Sequence, residues 1–448
     1  MKRYEAYKPT GLEWYPAIPQ GWEWRYLFQV AHEQTIKKPA GEMYPIMTLS
    51  YGEIKRKKNT EAGLLPSNYD SYQMLYKGNI VLRLIDLQND HTSLRTGLVK
   101  ETGIITSAYT CIMPTENPAY AQYLLHSYDT KKVFYGFGGG VRQSIGFKDI
   151  RHLQVPVPPR EEQDQIVRYL DWQVSKINRL IAAKRKQIEL LKEQRNTRIA
   201  KIVHNGLEPN VNMRESGIEY IGTVPAHWTV LQNRRLFKSM NRPFQGMPTV
   251  LSLSQNDGLI PYAEMTERSM HTSSYDNWQL VHPNDLVLNR FKAHLGVFFA
   301  SEHTGIVTFH YGVYEAKMPL VAKYYESLYH TPIYCRVYAG QSRGMTVGLQ
   351  NLSDTNFYST YTVYPPYEEQ CAIVVEIDKT EEQYSKVVTS ITGQIENLQE
   401  YRSRLISDVV TGQVDVRGIE VPEYEYVGEV SETNDNDEDE LEDNEEAD

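Results

Sequence analysis

Apolar residues recur at alternating three- and four-residue intervals over two long stretches of the chain. With Leu170 placed at heptad position d, the seam takes in Val174, Ile177, Ile181, Ile188, Leu191 and Ile202, interrupted by Lys184, Arg195 and Arg198. The second stretch sets Ile377, Tyr384, Val388, Ile391, Ile395, Leu398, Leu405 and Val409 on its seam. Spacing sustained over this length predicts coiled-coil helices at Glu161–Val203 and Glu368–Val410. Each start is marked by Pro-Pro, which cannot continue a preceding helix, and by Glu-Glu, which suits the positive end of the helix dipole. Asn205-Gly206 and Thr411-Gly412 are C-terminal stops. The first helix, 43 residues by this reading, is about 64 Å long at 1.5 Å per residue. Neither helix buries its stripe alone, so each is the natural partner of the other. The alternative is two unrelated helices, each packed on its own domain.

Elsewhere the pattern is shorter. Residues 43–50, 79–85, 103–113, 285–289 and 306–318 are β-branched or aromatic runs bounded by Gly, Pro, Asn and Asp, which predicts strands. Residues 118–128 and 320–331 read as short helices. The fold class is therefore α/β, with two curved, mostly antiparallel sheet domains.

The chain is an internal duplication. PPREEQDQIV at 158–167 returns as PPYEEQCAIV at 365–374, and the register continues down both helices at an offset of 207: Asp171 matches Asp378, Arg195 matches Arg402. GLEWYPAIPQGW at 11–22 returns as GIEYIGTVPAHW at 217–228, at an offset of 206. A repeat this long is two whole domains, far beyond a solenoid unit. The implied boundaries are 1–157 and 207–363 for the domains, 158–206 and 364–412 for the helices, and 413–448 for an acidic, disordered tail.

Composition changes the picture at one point. The chain of 448 residues carries a net charge of −10, yet residues 431–448 hold eleven acids and no base. Removing those eleven negative charges leaves about +1 for residues 1–430, so the acidic total says little about partners of the folded part. Cys111, Cys335 and Cys371 are far apart, which indicates neither a disulfide framework nor a zinc cluster. No apolar run is long enough to span a bilayer, and the polar start lacks a secretory signal. A cytoplasmic setting is expected.

Positive charge is clustered. The first half offers Lys55, Arg56, Lys57 and Lys58 after a strand, Arg83, Lys131 and Lys132, and a glycine-rich turn with Arg142 and Gln143. The second half offers Arg234, Arg235, Arg242, Asn289, Arg290 and Lys292, and a glycine-rich turn with Gln341 and Arg343. Glycine lets backbone amides approach phosphates, and Arg or Gln beside it can reach base edges. The repetition in both halves makes these residues candidate DNA contacts; the competing reading is solvated loops with scattered charge. The basic run Lys184-Arg185-Lys186, Lys192, Arg195, Arg198 and Lys201 reads as a solvated coiled-coil flank, with the steering of DNA as the alternative.

No catalytic constellation stands out. Asn117-Pro-Ala-Tyr resembles an adenine methyltransferase loop, but its third position differs and no cofactor loop precedes it; a helix cap explains the Asn. Asp285 with Glu315 and Lys317 mimics a nuclease metal site, without counterpart in the first half. His271, His282, His294, His303 and His310 lack zinc-ligand spacing. There is no Walker loop. No catalytic residue, metal ligand or cofactor site is assigned.

The paired Gly-[Leu/Ile]-Glu-aromatic…Pro-x-x-Trp entries, two variable domains and two Pro-Pro-x-Glu-Glu-Gln helices resemble the specificity subunit of type I restriction–modification systems, from about residue 9 to 412. The resemblance implies two target-recognition domains, each reading one half of a split, asymmetric sequence in double-stranded DNA. It implies that the helices pack as an antiparallel coiled coil, set the gap between the halves and dock two methylation subunits. With two restriction subunits, such a complex uses S-adenosylmethionine, ATP and Mg²⁺, all bound by the partners. The subunit itself is non-catalytic. The acidic tail lies outside the resemblance. Competing readings are a DNA adenine methyltransferase or nuclease in its own right, and a coiled-coil adaptor that does not bind DNA.

Overall fold

The computed structural model describes residues 2–428 except 13, 51, 58–68, 86, 88–93, 138–144, 245, 247, 255–257, 265–274, 276 and 343–350. The chain divides into two compact units: one holds residues up to Arg185 and those from Thr392 onward, the other Lys186–Ile391. Each unit thus joins one sheet domain to parts of both long helices, where the sequence reading ends each domain at a helix.

The units repeat one topology. In the first, β1 (Ala31–Glu33), β2 (Ile80–Leu82), β3 (Thr96–Leu98) and β4 (Thr110–Pro114) form an antiparallel sheet of order β1-β4-β2-β3. In the second, β5 (Phe237–Met240), β6 (Leu286–Asn289), β7 (Phe298–Ala300) and β8 (Tyr311–Ala316) give the matching order β5-β8-β6-β7. A helix follows the last strand of each sheet: α1 (Pro118–Thr130) in the first unit and, in the second, a helix at Ala322–Tyr329.

Two predicted strands are each broken in two. Residues 103–113 form Gly103–Ile105 and β4, and residues 306–318 form Gly305–Val307 and β8. The break is the same turn both times. Tyr109 N donates to Thr106 O (3.4 Å) and Tyr311 N to Thr308 O (3.1 Å), while the threonine Oγ1 accepts from Ala108 N (3.3 Å) or His310 N (3.2 Å). A threonine that caps its own turn carries no glycine or proline to announce it. A helix at Pro332–Gln341 was also not foreseen.

The long helices are α2 (Arg160–Asn205) and, with Ala322–Tyr329 as α3, α4 (Tyr367–Val410). They pack together. In the first unit Arg402 Nη1 donates to Asn178 Oδ1 (2.7 Å) and Lys184 Nζ to Gln394 Oε1 (2.5 Å). In the second, Arg195 pairs with Glu381 (3.1 Å) and Arg198 with Glu376 (2.6 Å). Within each unit the numbers rise along α2 as they fall along α4, so the strands of this coil run antiparallel. The polar interruptions of the first seam, Lys184, Arg195 and Arg198, therefore each meet a partner on α4, and Arg195 also lies over the Tyr384 ring at 4.7 Å. Leu170, Val174, Ile177, Ile181, Ile202, Ile377, Ile391, Ile395, Leu405 and Val409 are buried; Ile188, Leu191, Tyr384, Val388 and Leu398 are half-buried.

The sheet of the first unit rests on Met47, Leu49, Leu75, Val81 and Ile105. The second unit's core is rich in tyrosine: Tyr324, Tyr325, Tyr329, Tyr334 and Tyr338 are fully buried around Phe298 and Phe357. These five core tyrosines all lie on helices.

Residues 413–428, grouped by sequence with the disordered tail, are packed on the first unit. Val414 and Val416 are buried, Asp415 N donates to Lys2 O (3.0 Å), and Gln165 Nε2 donates to the carbonyls of Val416 (3.1 Å) and Ile419 (2.7 Å). The apolar residues of this segment explain the difference, because the acidic run begins only at 431 and lies outside the described residues. No helix among the described residues is long and apolar enough to cross a membrane.

Candidate DNA interface

The repeated Pro-Pro-x-Glu-Glu-Gln string fastens each sheet domain to its helix, and it does so twice in the same way. Gln163 and Gln370 are fully buried. Gln163 Nε2 donates to Pro158 O (2.9 Å) while its Oε1 accepts from Asn117 N (3.0 Å), at the start of α1. Gln370 Nε2 donates to Pro365 O (2.9 Å) and its Oε1 accepts from Val321 N (2.9 Å), at the start of α3. The second glutamate holds the tryptophan of Pro-x-x-Trp: Trp22 Nε1 donates to Glu162 (3.1 Å) and Trp228 Nε1 to Glu369 (2.9 Å). From the other side, Tyr120 Oη donates to Val410 O (3.2 Å) and Tyr324 Oη to Val203 O (2.8 Å), at the last turn of the opposite helix. Each domain is pinned to the beginning of one helix and the end of the other. This leaves the loops at the far end of the sheet free to differ.

Several basic candidates are committed to local partners. Arg242 bonds Asp285 (2.5 Å) and Glu315 (3.3 Å). Arg290 pairs with Asp354, which also accepts from Tyr314 Oη (2.7 Å). Arg56 forms a two-pronged pair with Glu101 (2.7 Å from Nε), and Lys55 lies 4.0 Å from Glu53. Lys131 Nζ donates to Trp14 O (3.2 Å) and sits over the Tyr15 ring, where burial lowers its pKa from the ordinary ammonium value. Lys132 stacks on Tyr135. Gln341 Oε1 accepts from Thr360 Oγ1 (2.7 Å), and Asn289 Oδ1 accepts from Phe291 N (3.1 Å) within a loop. Arg83 follows β2 with its carbonyl accepting from Arg95 Nη1 (3.2 Å), and the backbone N of half-buried Lys57 donates to the Ile46 carbonyl (2.9 Å). Arg234, Arg235 and Lys292 are exposed. Lys58, Arg142, Gln143 and Arg343 lie outside the described residues, with nearly all of the first glycine-rich turn and half of the second.

The same contacts dissolve the catalytic look-alikes. Asp285 and Glu315 share the guanidinium of Arg242, and Lys317 Nζ donates to Arg234 O (2.6 Å), so the nuclease-like trio is a structural ion pair. Asn117 caps α1, its Oδ1 accepting from Ala119 N (2.9 Å) and Tyr120 N (3.2 Å), and its Nδ2 donates to Asp164 (2.7 Å). Among the described residues no cluster of His, Cys, Asp or Glu could hold a metal ion.

Comparison with known proteins agrees with this arrangement. Residues 102–190 match the type I restriction modification DNA specificity domain. That stretch carries α1, the Pro-Pro-x-Glu-Glu-Gln clamp and the start of α2. Over that stretch the chain is similar to the DNA specificity domains of type I restriction–modification systems. A specificity subunit of the type I restriction enzyme MjaX from Methanocaldococcus jannaschii is 29% identical over 167 residues, 34% of this chain and 38% of that protein. The matched stretch thus spans well under half of that relative. A chain from a solved type I restriction–modification assembly shares the fold with a TM-score of 0.62 at 13% identity, over 89% of this chain and 99% of that one. The HsdS subunit from Thermoanaerobacter tengcongensis aligns with a TM-score of 0.45 at 14% identity, over 89% of this chain and 98% of that one.

The sequence reading overlooked two groups of residues in this chain. The clamp residues Glu162, Gln163, Glu369 and Gln370 stood in the repeated string, but a string alone does not say what its side chains touch. Exposed aromatic residues Phe291 and Phe309 on the second unit were hidden because unpatterned aromatics read as core. Aligning the two Thr-x-x-Tyr turns, Thr106–Tyr109 with Thr308–Tyr311, would have exposed the contrast between Ser107-Ala108 and Phe309-His310.

Proposed function

We propose that this chain is the non-catalytic reader of a bipartite, asymmetric DNA target. Each unit takes one half of the sequence, α2 and α4 fix the gap between halves, and the helix surfaces seat two methylation subunits. Two restriction subunits complete the assembly. S-adenosylmethionine, ATP and Mg²⁺ belong to those partners, and the setting is the cytoplasm. The observation that carries this reading is the pairing of one clamp geometry, repeated residue by residue, with loop chemistry that differs between the units. Two sheets with identical mounting and different tips suit two unlike half-sites. Arg234, Arg235 and Lys292 supply exposed positive charge on the second unit for phosphate contacts.

The test is an exchange of residues 230–363 for the corresponding segment of another specificity subunit, followed by mapping of adenine methylation in the host genome. One half of the methylated motif changes and the other half and the gap stay fixed. A motif altered in both halves, or methylation indifferent to the exchange, overturns the reading.

A further inference from the structure

The two units build the same turn at the same place and give it opposite chemistry. In both, a buried glutamine holds the turn from below: Gln73 Nε2 donates to Tyr109 O (2.6 Å) and Gln279 Nε2 to Tyr311 O (2.6 Å). Both turns carry the threonine cap described above. At the tip the first unit places Ser107 and Ala108, which shows that the turn needs nothing larger to form. The second unit places Phe309 and His310. Phe309 is 58% exposed, so packing leaves most of it uncovered, and its centroid lies 3.9 Å from that of His310. Phe291 also lies near His310, 5.9 Å between ring centroids, and Lys292 follows it, exposed. Asn289, the last residue of β6, pairs with Tyr311, so both loops leave one end of the sheet.

We propose that Phe309, backed by His310 and Phe291, is an apolar wedge that stacks on a base step of the half-site read by the second unit, with Lys292 on the neighbouring phosphate. This rests on the reading of the chain as a DNA-recognition subunit. Three features favour a duplex over a protein partner. The apolar tip is narrow, a turn of two residues, which suits insertion beside a base pair better than a broad hydrophobic contact. A cation, Lys292, follows Phe291 in the loop that leaves the same end of the sheet, as a phosphate contact requires. The turn is fixed by hydrogen bonds at both ends, so the ring is held out without a further ordering cost. The first unit lacks the wedge and reads its half-site without local unstacking at the corresponding place. The two halves of the target then differ in deformability, with a flexible pyrimidine–purine step favoured where Phe309 enters.

The experiment is selection from a pool of random 40-base-pair duplexes, using the full chain with its methylation subunit present, for the unchanged protein and for Phe309→Ala, Phe309→Trp and Lys292→Ala. Phe309→Ala weakens binding to the selected duplex about tenfold and erases sequence preference at one step in one half only, with the salt dependence unchanged. Phe309→Trp retains both affinity and preference. Lys292→Ala weakens all sequences alike and lowers the salt slope by about one. A bipartite motif with Phe309→Ala indistinguishable from the unchanged protein overturns the wedge and leaves the recognition reading standing. Failure of the unchanged protein to enrich any bipartite motif overturns the recognition reading, and the wedge with it.

Discussion

Replacing Gln163 with alanine removes one side chain and orphans two backbone groups. The amide carbonyl of Gln163 accepts from Asn117 N at 3.0 Å, and its Nε2 donates to Pro158 O at 2.9 Å and to Glu116 Oε2, also at 2.9 Å. The side chain is fully buried, so water does not take over these partners. A buried backbone group left without a partner costs about 1–3 kcal/mol, and two of them make about 3 kcal/mol a reasonable centre for the loss, before any cavity term. Gln370→Ala has the same geometry in the other unit and the same expected cost. Because the two glutamines share no partner, the losses are confined to their own units and add in the double variant. Hydrogen exchange read by mass spectrometry locates them: Gln163→Ala lowers protection in α1 and the first turns of α2, Gln370→Ala in α3 and the first turns of α4. Urea unfolding gives the magnitude. A loss below about 0.5 kcal/mol for either variant, or loss of protection in the unit that was not altered, refutes the argument that the repeated string is a clamp.

Two further outcomes follow from individual side chains. Arg242→Ala leaves the carboxylate of Asp285, only 4% exposed, without its cation; the expected destabilisation is about 3–5 kcal/mol, measured by urea unfolding, and a change within experimental error would show the pair to be dispensable. His204, stacked on Tyr334 with Nε2 3.4 Å from Thr331 Oγ1, is held by burial at a pKa of about 4, against an ordinary 6.5. The unfolded chain therefore takes up a proton below pH 6.5 that the folded ring refuses. The contribution is present in full above that pH and is lost as pH falls towards 4, by up to about 3 kcal/mol. His204→Gln flattens this part of the stability-against-pH curve, and a curve identical to that of the unchanged protein refutes the assignment.

The sequence made the architecture legible where one residue's role recurs at fixed spacing. Heptad spacing located α2 and α4 to within a few residues, and the two copies of the helix string and of the Pro-x-x-Trp entry revealed the duplication. It failed where the deciding partner lies elsewhere in the chain. Nothing near Arg242 announces that Asp285 and Glu315 will close on it, so a charge cluster and a salt-bridge network look alike in one dimension. The same holds for Arg290 with Asp354. The Thr-x-x-Tyr turns were missed for a different reason: β-branched and aromatic residues ran straight through them, and the turn is made by the threonine hydroxyl.

Duplication separates two demands that a single domain must reconcile. The residues that mount each domain on the rods are nearly interchangeable: Glu162 with Glu369, Gln163 with Gln370, Trp22 with Trp228, Tyr120 with Tyr324. Even the helix ends match. Gly206 and Gly412 both take positive φ, at +77° and +70°, and a side chain at either would strike the neighbouring tryptophan or its surroundings: a Cβ on Gly412 falls 2.4 Å from Pro19, one on Gly206 falls 2.8 Å from Glu369. Such positions tolerate little change, because altering one shifts the domain against its helix. The turn at 308–311 is bound by none of this. Its hydrogen bonds involve backbone, Thr308 and Gln279, so the two tip residues are free to vary without disturbing the mount. A fold that fixes the base of each sheet and releases its tips can acquire a new reading surface by substitution at a few exposed positions, and the contrast between Ser107-Ala108 and Phe309-His310 within one chain is that freedom in use.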